Sequence, residues 1–511
     1  MLLCWLLFIP FIGGLACWFV SRRNPDSNAA RWIALASMAL VFLPALSLWF
    51  GGDFSLPSHL SASPDWNREL SVPWIQQFGI AFHLGLDGLS LIMVMLASVL
   101  GMLAIAASWS SVRSRVGLFH ANLLWTLGGV IGIFLAIDLF LYFFFWELML
   151  IPMYFLIALW GHEEYDRGAH MRAAIKFFIY TQTSGLLMLA AILGLVFAYY
   201  SETGILTFDY NQLLGAHVSG TFGFVLMLGF FIAFAVKLPS VPFHGWLADT
   251  QANSPSSGAA DLSGILVKTA AYGLLRFTLP LFPEASAQFA PFAIALGLIS
   301  IYYGAVMAFA QNDMKRLISY SSISHMGFVM IGLYAGTFLA LQGVIVQVVA
   351  SAISTAALFI LAGQLYERMG TRDMRQLGGL FGRLGALPGF ALIFVVASLG
   401  MPATANFIGE FLILFGAFSV MPWVVVVASG GMILAAVYAL YLMHRVYWGT
   451  PQGQETIARM RAREYAIMMA LVVITLIVGL FPNTVLSVTQ GTMNDISHWF
   501  AAGVIAASQA S

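Results

Sequence analysis

The sequence predicts an all-α polytopic membrane protein with about 14 transmembrane helices. Three observations carry that expectation. Hydrophobic residues make up 60% of the chain and charged residues only 9%, whereas soluble domains carry about 25%. The apolar residues fall into runs long enough to cross a bilayer, separated by short polar links. The cations then sort between alternate links. With the N-terminus outside, 18 of the 22 Lys and Arg side chains fall on the inner side and only Arg68 outside, while Lys237, Lys268 and Arg276 fall within runs. A wrong count of runs would scramble that asymmetry.

In order, the runs are approximately 2–20, 31–49, 85–108, 116–135, 138–160, 173–200, 221–247, 258–281, 286–310, 316–334, 337–366, 386–417, 422–447 and 464–483. The first lacks a basic n-region and a small-residue cleavage site, so it reads as a retained membrane helix. Cys4 and Cys17 share that helix. At helical rise they lie about 20 Å apart and cannot pair. With no other cysteine, no iron–sulfur or haem attachment spacing exists in the chain. The polar stretch 51–82 is too short for a soluble core of its own. Zero net charge gives no support for a nucleic-acid partner. After Arg463 no basic residue remains, which fits an outward tail, and 487–503 reads as a short interfacial helix. Both termini are then expected outside.

Two runs contain a helix-breaking proline. AVKLPSVPFHGWL around Pro239 resembles SLGMPATANFIGEFL around Pro402. Proline removes a helix hydrogen bond and clashes with the preceding turn, and the bare backbone is tolerated at membrane depth where it lines protein or water. Paired interruptions in two halves point to a transfer site in each. Their separation covers about five runs, so five-helix repeats would be inverted relative to each other. The expected division is helices one to three in 1–115, a first repeat in 116–281, a second in 286–448, and the last helix with its tail in 449–511.

The intramembrane ionisable residues carry the chemistry. A lysine at mid-membrane depth costs roughly 2.5–3.5 kcal/mol on insertion scales, so Lys237 and Lys268 beside interrupted helices suggest a site. Glu147 stands in the aromatic run LFLYFFFWELMLIPMYFLI, five residues before Pro152. Lys237 and His244, seven apart, share a face if the helix continues through Pro239 and Pro242. Asp261 and Lys268 have the same spacing, and Asp261 is expected to cap a helix start. Arg276 either snorkels or pairs with a carboxylate near the outer face. Tyr320, Ser321, Ser322, Ser324 and His325 form a dense polar band, in which His325 titrates nearest neutrality. Gln347, Ser351, Ser354 and Thr355 share a helix face, and Asn406 and Glu410 follow Pro402. Glu147, Lys237, Lys268, His325 and Glu410 thus form a chain of titratable groups. Burial weakens a lysine's hold on its proton and a nearby carboxylate strengthens it, so relative motion of such a pair loads or releases a proton without a cofactor.

These motifs resemble the antiporter-like membrane subunits of respiratory complex I, the NADH:quinone oxidoreductase, over nearly the whole chain. The likeness rests on GLDGLSLIMV (85–94), FLAIDLFLYFFFWELMLIPMYFLIALWGH (134–162), LMLGFFIAFAVKLPSVPFHGWL (226–247), LVKTAAYGLLRF (266–277), GQLYERMGTRDMRQLGGL (363–380) and NFIGEFLILFG (406–416). Glutamate at 410 resembles the chain M branch, since the sister chains L and N have lysine there. The resemblance implies two inverted five-helix repeats and proton translocation driven by quinone chemistry in other subunits. It implies Glu147 and Lys237 as a paired switch, Lys268 as central relay, Glu410 as exit group, and His325 on the connecting polar axis. His244, Asp261, Ser324, Ser351 and Gln251 are secondary candidates along the path. No cofactor or metal is expected in this chain; FMN, iron–sulfur clusters and quinone belong to partner subunits. Chains L and N are the expected neighbours, in a bacterial inner membrane with periplasmic termini. Two other readings share the fold: a subunit of a multi-subunit cation/proton antiporter or membrane hydrogenase, and a scaffold that has lost pumping.

Three departures from the family pattern bear on the relay. The usual GWLPDAHSQAPT reads GWLADTQANSPSS, with Ala248 for proline and Gln251 for histidine. The usual IAHGLSAAGLF reads VVASAISTAALF, with Ser351 for histidine. The usual MPGTGNF reads MPATANF, with Ala403 and Ala405 for glycines. Glutamine and serine hydrogen-bond water but store no proton near neutrality, so a weaker or more water-dependent central relay is expected.

Overall fold

The computed structural model describes residues 1–23, 28–52, 64–162, 166–216, 218–450 and 457–510, without the side chains of 261–263 and 510. The first crossings, α1 (Leu2–Arg23), α2 (Ala29–Gly51), α3 (Gly88–Ser111) and α4 (Val116–Leu135), are uninterrupted. The next is split at Met149 into α5 (Leu139–Leu148) and α6 (Leu150–Trp160). Pro152 cannot donate to the Leu148 carbonyl, which accounts for α5 ending at Leu148 and the break at Met149. The long α7 (Ala169–Thr203) and the single turn α8 (Tyr210–Leu213) lead to α9 (Gly220–Lys237).

Beyond Lys237 the helix stops, and regular structure resumes only at α10 (Leu247–Asn253). The indole of Trp246 donates to the Val236 carbonyl at 2.8 Å, satisfying one acceptor that the break exposes. The expectation that Lys237 and His244 share a helix face is therefore incorrect. Segment 256–281 is irregular in a different way. Helices α11 (Ser256–Asp261), α12 (Lys268–Gly273) and α13 (Leu279–Leu281) are joined by π-helical turns at Leu262–Leu266 and Leu274–Thr278. Asp261 is the last residue of α11, not a cap at its start, and its side chain lies outside the described residues. The π turn between Asp261 and Lys268 also breaks the regular register expected to put them on one face.

The second half contains α14 (Pro283–Phe309), α15 (Met314–Ala335), α16 (Phe338–Met369), α17 (Leu387–Ser398), α18 (Ala405–Phe418), α19 (Pro422–Val446) and α20 (Ala462–Leu480). Pro402 lies in the gap between α17 and α18, so both proline interruptions are present. Among the described residues, twelve helical segments are long and apolar enough to cross a membrane, and α17 and α18 are shorter apolar helices. Helices α15 and α16 are buried along nearly their whole length and form the centre. Exposed apolar side chains on α1, α2, α7, α19 and α20 suit a lipid surround.

One end carries a hairpin that the sequence reading did not anticipate and a helix longer than it expected. Strands β1 (Arg68–Ile75) and β2 (Ile80–Leu86) form an antiparallel hairpin within the polar stretch. The helix expected over 487–503 is longer, α21 (Asn483–Ala510). It packs across the starts of α3, α14 and α16: Gly88 abuts the Val488 carbonyl, Gly336 abuts Phe500, and Gly503 abuts Pro283.

Candidate functional site

Glu147 lies one residue before the end of α5, and Lys237 is the last residue of α9. The two do not form an ion pair. The Lys237 ammonium sits 3.7 Å from the centroid of the Trp146 ring and 3.6 Å from the Met149 sulfur. Lys237 is 1% exposed, so its charge has aromatic and thioether neighbours in place of water. Glu147 Oε1 is buried with no hydrogen-bond partner in the chain. It points at Gly185 of α7, where a Cβ would stand 2.0 Å from that oxygen, so only glycine leaves it room. The broken turn at Met149 thus carries the indole and the sulfur that contact Lys237, and a carboxylate directed at Gly185 instead.

Lys268 opens α12, immediately beyond the first π turn, and is fully buried. Its ammonium reaches the Met326 sulfur of α15 at 3.9 Å. Both buried lysines therefore face a thioether, a weak acceptor that does not titrate. Gln251 on α10 is fully buried, and neither end of its amide has a partner in the chain.

The third centre joins three helices. Nδ1 of His325 on α15 and Nε2 of Gln347 on α16 each lie 3.0 Å from Oε1 of Glu410 on α18. Nδ1 of His325 faces the Glu410 carboxyl group, and its Nε2 is buried with no partner in the chain. The Asn406 amide donates to the Ser354 hydroxyl at 3.4 Å, tying the α18 start to α16. Tertiary structure thus brings together Glu410, His325 and Gln347, which are far apart in the chain.

The secondary candidates divide. Ser324 points away from this cluster and donates to the Ile301 carbonyl of α14 at 2.9 Å. The Ser351 hydroxyl folds back onto its own helix, 3.3 Å from the Val348 carbonyl. His244 sits in the non-helical link, its ring edge-on to Tyr303 with 4.7 Å between centroids. Sequence reasoning missed Trp146, Met149 and Met326 as lysine neighbours, because a contact between helices remote in sequence leaves no spacing signal.

Asp87 was also missed. It pairs with Arg276, both being buried, so Arg276 takes the carboxylate partner and does not snorkel. Asp87 also caps α3 through the Ser90 amide at 2.9 Å and accepts from Thr492 of α21 at 2.8 Å. Outside the helices, His83 of β2 lies between Asp209 Oδ2 at 2.8 Å and Glu69 Oε1 at 2.6 Å. Burial opposes its charge, but the two carboxylates outweigh burial and raise the imidazole above its ordinary value.

Residues 136–435 match a family model described as NADH:quinone oxidoreductase/Mrp antiporter, TM. NADH-quinone oxidoreductase subunit M of Pseudomonas aeruginosa is 54% identical over 505 residues, covering 99% of both chains. The subunit M of Escherichia coli K12 is 53% identical over 507 residues, again covering 99% of both. The chain belongs to the NADH-quinone oxidoreductase subunit M family. Its fold superposes on a chain of respiratory complex I from Thermus thermophilus with a TM-score of 0.86 and 29% identity, covering 98% of this chain and 100% of that one. A chain of the Mrp complex from Dietzia sp. shares the fold with a TM-score of 0.84 at 19% identity, over 99% of both. In this member of the subunit M family, Glu147, Lys237 and Glu410 sit beside helix breaks, Lys268 lies on the irregular segment 256–281, and His325 lies on the continuous helix α15.

Proposed function

We propose that the chain is a proton-translocating membrane-arm subunit of an NADH-quinone oxidoreductase, adjoining the L and N chains in a bacterial inner membrane. The arrangement of Lys237 carries this reading. A buried lysine at a broken helix end, held beside but not on a carboxylate, is a proton carrier with two available states. When Glu147 turns towards it, the ammonium gains a counter-charge and holds its proton. When Glu147 turns away, only the indole and the thioether remain, and the proton leaves towards Lys268. From there His325 accepts on Nε2 and releases from Nδ1 to Glu410. Gln251 and Ser351 cannot store the proton, so water completes the centre of this route.

NADH oxidation and quinone reduction are assigned to partner chains, together with FMN and iron–sulfur clusters. Among the described residues no three His, Cys, Asp or Glu side chains are grouped as metal ligands would be, and no step here passes through a redox group. We further assign the interrupted segments 256–281 and 387–418 as the two remaining crossings of a fourteen-helix protein. Its blocks are 1–115, 116–281, 286–448 and 449–511, with the middle two as inverted repeats and both termini periplasmic. The 18-to-1 division of Lys and Arg between alternate links supports that orientation.

The test is Lys237→Ala in the assembled complex, reconstituted in vesicles. Proton pumping per NADH oxidised is expected to fall while NADH oxidation by a soluble acceptor persists. Near-normal pumping would overturn the proposal in favour of a scaffold.

A further inference from the structure

Two arginines from opposite ends of the chain meet at one tryptophan. Arg31, near the start of α2, and Arg463, near the start of α20, place their guanidinium carbons 5.9 Å and 5.8 Å from the ring centroid of Trp109, near the end of α3. Neutral groups hold both in place. Arg31 donates to the Val112 carbonyl at 3.0 Å and to the Asn28 side chain, and Arg463 donates to the Ser110 hydroxyl at 2.9 Å. Among the described residues neither forms an ion pair with a carboxylate. The Nε of each is buried and has no partner in the chain. Two like charges with orphaned donors, gathered on one ring, are costly unless an anion accepts from them.

The surroundings say which anion fits. Exposed Arg113, Arg115 and Arg461 add positive charge at this end of the molecule. Against them stand Glu464, which Arg368 already holds, and exposed Glu367. Trp32 is exposed and meets Trp109 edge-on, with ring centroids 5.0 Å apart, an arrangement suited to headgroup depth. Two apolar tracks lead away from the arginines. Trp32, Ala36, Leu40 and Leu43 form an exposed stripe along α2, and Tyr465, Met469 and Val473 form one along α20. Helix α3 packs against both helices. Its last turns carry half-buried Ala106 and Ala107, whose small side chains leave room beside the helix. One charged head and two apolar tracks match the shape of a phospholipid, whereas a free phosphate would use the arginines alone. The excess of cations disfavours a zwitterionic lipid, which would bring an ammonium among guanidinium groups.

We propose that Arg31, Arg463 and Trp109 form a binding site for the phosphate of an anionic phospholipid, with its two acyl chains lying along α2 and α20. The lipid joins helices from the two ends of the chain at the point where their arginines repel. The site stands apart from the proton route and does not depend on it.

The experiment uses the assembled oxidoreductase in phosphatidylcholine nanodiscs doped with a phosphatidylglycerol that carries a photoreactive acyl chain. After illumination, labelled peptides are mapped by mass spectrometry. Label is expected on the exposed stripes of α2 and α20. Combining Arg31→Gln with Arg463→Gln is expected to lower it about fivefold, the loss of two charge-assisted contacts. Combining Arg31→Lys with Arg463→Lys keeps the charge without the planar fork and is expected to lower it less. Retained NADH oxidation by a soluble acceptor shows that each variant assembles. Unchanged labelling in the glutamine variant overturns the proposal, as does equal labelling by a photoreactive phosphatidylcholine. Inorganic phosphate added as competitor is expected to leave the label in place, and its complete suppression would mark a free-phosphate site instead. Absence of label from both stripes in the parent complex would show that a partner chain covers this face, which also overturns the assignment.

Discussion

The ammonium of Lys237 rests on the indole of Trp146, 3.7 Å from the ring centroid, while Glu147, the next residue on α5, points its carboxylate towards Gly185 instead. The two members of the expected switch are therefore neighbours held apart. One turn of broken helix presents the lysine with a π face and the neighbouring helix with the acid.

That arrangement makes Trp146 a positioning residue for Lys237. A desolvated cation–π contact contributes about 2 kcal/mol. Trp146→Phe keeps a weaker π face and is expected to slow pumping by less than about tenfold. Trp146→Leu is expected to slow it further, with NADH oxidation by a soluble acceptor unchanged in both. Initial rates of proton uptake in vesicles would measure the order. Indistinguishable Phe and Leu variants would show that the ring acts only by filling space.

Ala403 occupies the gap between α17 and α18 with φ at +76°, a left-handed conformation. Outside glycine this costs about 1–2 kcal/mol. Ala403→Gly, which restores the residue usual in the family, is expected to stabilise the chain by about 1 kcal/mol. The midpoint of thermal inactivation of the detergent-solubilised complex should rise. A lower midpoint would mean that the flexibility of glycine in the unfolded chain outweighs the relieved strain.

Asp87 and Arg276 form a buried pair that also ties α21 to α3 through Thr492. Asp87→Asn strands the guanidinium and is expected to cost about 3–5 kcal/mol. Adding Arg276→Met to it should recover part of that loss, because the stranded charge is gone. Assembly yield and denaturation midpoint read both effects. A double variant no better than Asp87→Asn would falsify charge burial as the cause.

His83 makes the β1–β2 hairpin pH-sensitive. Its folded value is raised above the ordinary 6.5, because Asp209 and Glu69 outweigh burial. The stabilisation is fully present below 6.5 and is lost as pH rises through the raised folded value. Solvent around the partly exposed Glu69 screens part of it. Hydrogen exchange in Ile80–Leu86, corrected for intrinsic rates, should show the hairpin opening more readily from about pH 6.5 upwards. His83→Gln should flatten the trend, and an unchanged trend would remove His83 from the explanation.

Ser351→His tests the central relay. The serine hydroxyl is turned onto its own helix, and a histidine there would add a titratable group. Pumping rate is expected to rise, and an unchanged rate and proton-to-electron ratio would show that the centre lacks nothing at this position.

Much of the membrane architecture was legible in the chain. Long apolar runs, Pro239 and Pro402 at two interruptions, and buried Lys237, Lys268, His325 and Glu410 all follow from residue types whose cost in a bilayer is large. The β1–β2 hairpin escaped although Leu70, Val72 and Trp74, then Ile80, Phe82, Leu84 and Leu86, alternate with smaller or polar residues, because the pattern is short and its second half merges with the apolar run that follows. The π turns around Lys268 escaped because no proline or glycine pair marks them. His244 was expected on the face of Lys237, but α9 ends at Lys237 and the spacing rule has no helix to act on.

Sequence by itself determined where the chain crosses apolar surroundings and which residues there cannot be bystanders, since an ionisable group in hydrocarbon carries a penalty that only a partner or a function offsets. Only the tertiary structure decided the partners: Trp146 and Met149 for Lys237, Met326 for Lys268, His325 and Gln347 for Glu410, Asp87 for Arg276. Those contacts join helices remote in sequence, where geometry depends on how whole helices pack and where they break. Composition records the cost of burying a charge, and packing decides what meets it.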